Sequence, residues 1–279
     1  MNYNEIIKKN NFKFTKSLGQ NFIYDENLLL SLVKLDAKIT SDDVVVEIGT
    51  GAGSLTRILS TVAKKVYTFE VDKKLENILK ETLKDLDNVT LYFKDILKIS
   101  DKEFEEMVPE KFVLVANIPY YITSPIIMRF LESNLNYLSL NIMMQKEVAD
   151  RLIAKEGTKD YGSITVAANY YCDIENKRFI DRHFFTPPPN VDSSFVTFIK
   201  HPNKFKPDNF EIFKKTYKAA FLMRRKTLIN NLNFVFKIDK TDLCNILQTL
   251  NLTETIRGEV LSIQQFVDLS NKINQFLEK

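Results

Sequence analysis

Three of the chain's seven glycines, Gly49, Gly51 and Gly53, fall within five residues, between the apolar run Val44–Ile48 and the helix-like stretch Ser54–Ala63. Glycine there permits a tight turn and lets backbone N–H groups and a helix N-terminus approach a ligand. The spacing is G-x-G-x-G. A dinucleotide fingerprint needs glycine or alanine where Ser54 stands, which counts against a nicotinamide cofactor. Glu47, just ahead of the turn, is suited to accept hydrogen bonds from a cationic group. Polar residues also close the next three apolar runs. Glu70 follows Gly49 by 21 residues, where an acid can bind both hydroxyls of a ribose. Asp95 can accept from an adenine amine, and Asn117 ends the last of the three runs. Open α/β sheets bind ligands at the carboxyl ends of their strands. This set suits an adenosine-containing cofactor with no phosphate site.

Asn117 opens the tetrapeptide Asn117-Ile118-Pro119-Tyr120. It resembles the Asn-x-Pro-Tyr signature of class I S-adenosylmethionine-dependent methyltransferases that act on the N6 amine of adenine. An exocyclic amine is a poor nucleophile because its lone pair is delocalised into the ring. The Asn117 side-chain oxygen and the Ile118 carbonyl can each accept one N–H, favouring a pyramidal nitrogen with its lone pair aimed at the methyl group. Pro119 lacks an N–H and fixes the backbone. Tyr120 offers a stacking face to a base taken out of its helix. The reaction then reduces to positioning and in-line transfer, with no metal and no covalent nucleophile.

Further blocks narrow the resemblance: Ser17-Leu18-Gly19-Gln20-Asn21-Phe22, Glu47-Ile48-Gly49, Gln145 to Leu152, Phe185-Thr186-Pro187-Pro188-Pro189-Asn190-Val191-Asp192-Ser193, and Arg224-Arg225-Lys226-Thr227-Leu228. In this order they resemble the ribosomal RNA adenine N6,N6-dimethyltransferases over nearly the whole chain, and within them the branch acting on small-subunit (16S) RNA. The resemblance implies a Rossmann-like methyltransferase fold, S-adenosylmethionine as cofactor with S-adenosylhomocysteine as product, and no metal. The substrate it implies is two adjacent adenosines in a 3′-terminal hairpin loop of 16S rRNA in an immature small subunit. It also implies that Asn21 and Ile23 join Glu47, Gly49, Gly51, Glu70, Asp95 and Asn117 around the cofactor. By the same resemblance Phe185 would sandwich the target base opposite Tyr120, and Arg224, Arg225 and Lys226 would contact RNA phosphates. Thr50, Tyr121 and Met223 depart from the family pattern. Of these, Tyr121 is expected to bear on the shape of the acceptor pocket and so on the second methyl transfer.

Positioning these groups takes a sheet. Val44–Ile48, Val66–Val71, Val89–Phe93, Phe112–Ala116 and Leu138–Met144 read as strands, with Phe195–Ile199 a further one. Helical periodicity separates them at Ser54–Ala63, Lys73–Leu83, Asp101–Met107 and Pro125–Glu132, the last opened by Ser124 as cap and Pro125 at the first helical position. Asp25 caps an earlier helix carrying Leu28, Leu29, Leu32 and Val33. Apolar strands alternating with helices predict a mostly parallel sheet covered on both faces. After His201-Pro202 only helical patterns remain: Phe210–Leu222, Arg224–Val235, Asp242–Leu250 and Ile263–Leu277, the last with the capping box Ser262 to Gln265. The expected division is a methyltransferase domain over residues 1–200, including a basic segment 1–24, and a small all-helical RNA-recognition domain over 201–279.

Composition sets outer bounds. A chain of 279 residues, 44% hydrophobic and 27% charged, is neither disordered nor fibrous. Two cysteines and two histidines support neither a disulfide framework nor a zinc cluster. With no apolar leader before Lys16 and no run approaching a membrane span, the expectation is a cytoplasmic protein with no membrane and no obligate protein partner. Net charge is only +3, yet residues 200–232 hold nine cations against Asp208 and Glu211, and residues 1–24 four lysines against Glu5. Such segregation points to a polyanion, the alternative being a solvated helix face or, for the N-terminal lysines, a basic tail. Two other functions share these features: a large-subunit (23S) adenine methyltransferase conferring macrolide resistance, and a ribosome-assembly factor without turnover.

Overall fold

Runs rich in valine and isoleucine with no polar face form the middle of one sheet. The structure, a computed structural model, describes residues 1–14, 19–201 and 204–278. Lys16, Ser17, Leu18 and Pro202 of the segments discussed above lie outside the described residues. The strands are β1 (Phe22–Ile23), β2 (Val44–Ile48), β3 (Lys65–Phe69), β4 (Val89–Tyr92), β5 (Phe112–Asn117), β6 (Tyr137–Gln145), β7 (Cys172–Ile180), β8 (Phe185–Thr186) and β9 (Ser193–Lys200). Seven of them form a sheet in the order β4-β3-β2-β5-β6-β9-β7. Pairing is parallel from β4 through β6 and antiparallel between β6 and β9. Strands β1 and β8 make a separate antiparallel pair, with Ile23 opposite Phe185.

Alternation along the strands supplies apolar side chains to both faces. Val45, Val66, Val113 and Val115 pack with Leu29, Leu32, Leu55 and Leu59 on one side. Those leucines come from helix α2 (Glu26–Ser31) with its π-helical continuation Leu32–Asp36, and from α3 (Ser54–Val62). On the other side, Phe69 and Phe112 meet Phe104 at centroid distances of 5.8 and 5.4 Å, and Phe130 lies 5.9 Å from Phe104. Phe104 belongs to α5 (Asp101–Met107), Phe130 to α6 (Tyr120–Leu131). Residues 3–9 are no loose tail. Helix α1 (Tyr3–Lys9) buries Tyr3 and Ile7 with Leu75, Ile78 and Leu79 beside α4 (Glu76–Thr82), and Lys9 pairs with Glu81 at 3.0 Å. The sheet is therefore mostly parallel and covered by helices on both faces, as its apolar strands predict.

The chain divides into two compact units, residues 1–149 with 174–200, and residues 150–173 with 201–279. After α7 (Lys146–Leu152), the second unit holds α8 (Ser163–Tyr171), α9 (Phe210–Ala220), α10 (Leu228–Phe236), α11 (Lys240–Thr249) and α12 (Ile263–Leu277). A single domain over 1–200 thus misplaces residues 150–173, and the reason is local. Tyr161 donates its buried hydroxyl to the Leu261 carbonyl at 2.9 Å, and Arg224 Nη2 donates to the carbonyls of Lys159 and Tyr161. The Tyr170 ring sits 4.8 Å from that of Phe213. These groups are satisfied only within the helical unit.

Two helix starts also differ from expectation. Helix α6 begins at Tyr120 with Pro119 as cap, so Pro125 is interior, not first. Helix α10 begins at Leu228, because the Thr227 hydroxyl accepts from Asn230 N and caps it; Arg224 to Lys226 lie in the preceding turn. Among the described residues no helix is long and apolar enough to cross a membrane.

Candidate functional site

The carboxyl ends of β2, β3, β4 and β5 surround a cavity of about 490 Å³ within the first unit. Gly49, Gly51, Glu70, Asp95, Asn117, Tyr120 and Phe185 all line it, with Asn21 and Ile23 from the β1 segment. Four loops far apart in sequence thus meet at one crevice. Gly49 has φ +81°, and a Cβ there would stand 3.3 Å from the Asn117 carbonyl oxygen, so the turn passes the end of β5 only without a side chain. Gly51, at φ +57°, leaves no more room, since its Cβ would lie 2.9 Å from the Phe22 ring.

Both oxygens of Glu70 are held by backbone. Oε2 accepts from Gly51 N at 2.9 Å, and Oε1 from Val71 N and Asp72 N at 2.8 Å each. Burial pushes its pKa up while these N–H groups favour the carboxylate. The result is a fixed acceptor at the cavity wall. Asp95 Oδ1 accepts from Leu97 N at 3.1 Å, and its other oxygen faces Lys98 at 3.4 Å.

Glu47 behaves differently from expectation. It is fully buried and absent from the cavity lining. Thr56 and Thr68 each donate a hydroxyl to its Oε2 at 2.6 Å, and Thr50 lies 2.6 Å from the Thr68 oxygen. Because the Thr68 proton is spent on Glu47, Thr50 donates to Thr68. Oε1 has no partner. Burial outweighs the two hydroxyls and pushes this carboxyl up to about 8. A largely neutral acid behind the glycine turn braces β2, β3 and α3; it does not reach into the cavity. Thr50, the departure from the family pattern, supplies the outermost hydroxyl of that chain.

Asn117 is half-buried, and its Nδ2 donates to the Asn21 carbonyl at 3.3 Å. Tyr120 has its hydroxyl 2.7 Å from the Ser193 hydroxyl, and burial raises its pKa, so the phenol stays neutral. Phe185 borders the cavity but is only 2% exposed, packed with Ile23, Leu55 and Phe195. The Ile23 side chain is likewise core, and its carbonyl accepts from Ser54 Oγ at 2.6 Å. The serine that spoils a dinucleotide fingerprint thus ties β1 to the glycine turn. Gln20 Nε2 reaches Asp72 Oδ2 at 2.8 Å and lines the cavity too. Gln20 and Ser193 fall in the motif blocks, but neither pairing was legible beforehand, since the partners lie 52 and 73 residues away.

The expected RNA contacts sit in the second unit. Arg225 and Lys226 are exposed. Arg224 is exposed as well, but its Nη2 is committed to two carbonyls of the 159–161 loop at 3.0 and 2.9 Å.

Comparison with known proteins follows the same lines. Residues 11–275 match the family model for ribosomal RNA adenine dimethylase. The chain is similar to the ribosomal RNA small subunit methyltransferase A of Clostridioides difficile (strain 630), 46% identical over 97% of this chain and 94% of the relative. It is also similar to the protein of that name in Bacillus thuringiensis (strain Al Hakam), at 44% over 96% and 94%. Among solved structures, a dimethyladenosine transferase from Plasmodium falciparum superposes with TM-score 0.77 at 28% identity, covering 91% of this chain and 98% of that one. The 23S rRNA methyltransferase ErmE gives 0.67 at 25%, over 91% and 100%.

Proposed function

The chain belongs to the ribosomal RNA adenine dimethylase family, and on that premise we propose that it dimethylates the N6 amines of two adjacent adenosines in the 3′-terminal hairpin loop of 16S rRNA during small-subunit assembly, with S-adenosylmethionine as methyl donor and S-adenosylhomocysteine as product. Such work belongs in the cytoplasm, on an immature subunit. The helical unit, with its exposed Arg225 and Lys226, is the RNA-recognition part.

One observation carries this reading. The Asn21 carbonyl can only accept, so it turns Asn117 Nδ2 toward itself and leaves Asn117 Oδ1 for another donor. An adenine N6 amine is such a donor. The cofactor fits the same crevice: Glu70 offers a fixed carboxylate for two ribose hydroxyls, Asp95 a carboxylate for an adenine amine, and the backbone at Gly49 and Gly51 a wall no Cβ could share.

S-adenosylmethionine supplies a methyl group on a positively charged sulfur. The chain's own residues do the rest. Asn117 Oδ1 and the Ile118 carbonyl take the two N–H groups of the adenine, concentrating the lone pair on nitrogen. Tyr120, its hydroxyl anchored by Ser193, holds the ring in plane with that lone pair directed at the methyl group. Phe185 lines the same cavity from a position packed in the core, so its ring offers little open face for sandwiching a base opposite Tyr120. Transfer would break the donor's sulfur–carbon bond and form the nitrogen–carbon bond, leaving S-adenosylhomocysteine, while the Asn117 and Ile118 oxygens would hold the N6 protons, one of which is lost.

Mass spectrometry of ribosomal RNA from cells lacking this protein tests the reading. The expected result is loss of paired dimethyladenosines from the small-subunit RNA alone. Loss from the large subunit instead would establish the macrolide-resistance activity, and intact methylation with defective subunits a role in assembly without turnover.

A further inference from the structure

Tyr120 and Tyr121 are consecutive residues in the first turn of α6, yet they stand in opposite situations. Tyr120 is half-buried and its hydroxyl is fixed on Ser193. Tyr121 also lines the cavity, but it is 60% exposed, and its hydroxyl has no hydrogen-bond partner among the described residues. A Cβ built on Gly19 would lie 3.8 Å from both Tyr121 Cδ1 and Cε1, so one edge of the ring runs beside that segment and the remainder faces solvent. The ring therefore lines the pocket with most of its surface open to solvent. Its backbone is set by the Pro119 cap, so it is a large aromatic surface held at a defined place and left uncovered.

An adenine held against Tyr120 remains part of a strand, and its neighbour must leave across the pocket's open side. Successive side chains of a helix diverge by about 100° around its axis, so the Tyr121 ring is offset from that of Tyr120 and meets a neighbouring base that has turned out of the stack beside the target. Successive bases stack on successive aromatic rings with little regard to sequence.

We propose that Tyr121 is the stacking platform for the nucleobase next to the target adenosine on the same RNA strand, and that it governs RNA recognition without setting how many methyls are added. This rests on the function proposed above. Its alternative is the expectation that Tyr121 reshapes the acceptor pocket, which the number of methyls added distinguishes.

The test uses the full chain, S-adenosylmethionine and RNA hairpins in which 2-aminopurine, whose fluorescence falls on stacking, replaces the nucleotide on either side of the target. Wild-type protein and Tyr121→Phe quench the probe at one of the two positions. Tyr121→Ala and Tyr121→Leu forfeit most of that quench and raise the KM for RNA about tenfold, in line with the absence of a base–aromatic stack. Their kcat stays within about twofold, and their calorimetric affinity for S-adenosylhomocysteine is unchanged. Accumulation of monomethyladenosine at unaltered KM would overturn the proposal in favour of pocket shaping. Weakened S-adenosylhomocysteine binding would overturn it in favour of a cofactor lid, and full quenching by Tyr121→Ala would leave the ring without this role. If wild-type protein transfers no methyl to RNA, the proposed function fails and takes this inference with it; if it does and Tyr121 is indifferent, only the inference falls.

Discussion

An amide has two ends, and which end faces the cavity decides what Asn117 can do. The Asn21 carbonyl fixes that choice from 96 residues away. Asn117→Ala removes the acceptor while leaving a side chain that fits, so methyl transfer falls by roughly 10²-fold or more with the thermal unfolding midpoint nearly unchanged; single-turnover transfer to RNA measures it, and undiminished turnover removes Asn117 from the mechanism. Glu47 acts at longer range, through stability. Its folded pKa, about 8, stands above the ordinary carboxylate value. Between those two values the unfolded chain ionises and the folded one resists, so the stability associated with this group is fully present below the unfolded pKa and lost as pH rises toward 8. Glu47→Gln, which mimics the protonated acid and still accepts from Thr56 and Thr68, abolishes that loss. Melting wild type and variant at pH 5 and pH 8 gives the comparison, and equal pH dependence in both would show that Glu47 is ionised in the fold. Residue types and order were enough to single out Asn117, Glu70 and Asp95. They could not tell that Glu47 lies behind the turn and not in it, because burial depends on Thr56 and Thr68 arriving from two other elements.

At the scale of elements, the glycine turn is a junction more than a loop. Gly51 N holds Glu70, Ser54 at the start of α3 holds Ile23, and Phe22 of β1 packs where a Gly51 side chain would stand. Gly51→Ala puts an L side chain at φ +57° and against the Phe22 ring, a left-handed strain of about 1–2 kcal/mol before any displacement of β1. The variant therefore melts lower and binds S-adenosylhomocysteine more weakly, both at once, since the Glu70 carboxylate depends on the same backbone. Calorimetry with differential scanning checks the pair; weakened binding at an unchanged midpoint would mean that the turn does not brace β1. The long apolar strands were legible because no side of them is polar. Strand β7 was not. At the sheet's edge it reads Cys-Asp-Ile-Glu-Asn-Lys-Arg-Phe-Ile, with five of nine residues charged or amide. The start of α6 was misread for a similar reason: Ser124-Pro125 has the local form of a helix entry, but Pro119, at the end of the Asn-Ile-Pro turn, caps the helix first.

For the molecule as a whole, charge is the property that sequence order shows best and folding partitions. The cations of residues 200–232 read as one basic stretch, yet they do different things once folded. Lys215 lies over the Phe236 ring at 4.6 Å, Lys204 pairs with Asp173 at 3.6 Å, and Arg224 anchors the 159–161 loop. Arg225 stands beside Arg224 in the same turn, with its side chain exposed. Neighbouring arginines should therefore fail differently. Arg225→Glu weakens RNA binding and flattens its dependence on salt by somewhat under one unit of logarithmic slope for each phosphate no longer neutralised, while affinity for S-adenosylhomocysteine stays at the wild-type value. Arg224→Ala frees two carbonyls and unfastens the loop, costing about 1 kcal/mol of stability, since one of the two bonds is solvent-exposed. Its primary effect is a lower melting temperature, with any RNA defect following from that. Salt titrations of RNA affinity, run with melting curves for both variants, separate the two. A shallower salt slope for Arg224→Ala at full stability would make it a phosphate ligand after all. Parallel weakening of RNA and cofactor binding in Arg225→Glu would reveal a folding defect and withdraw Arg225 from the interface.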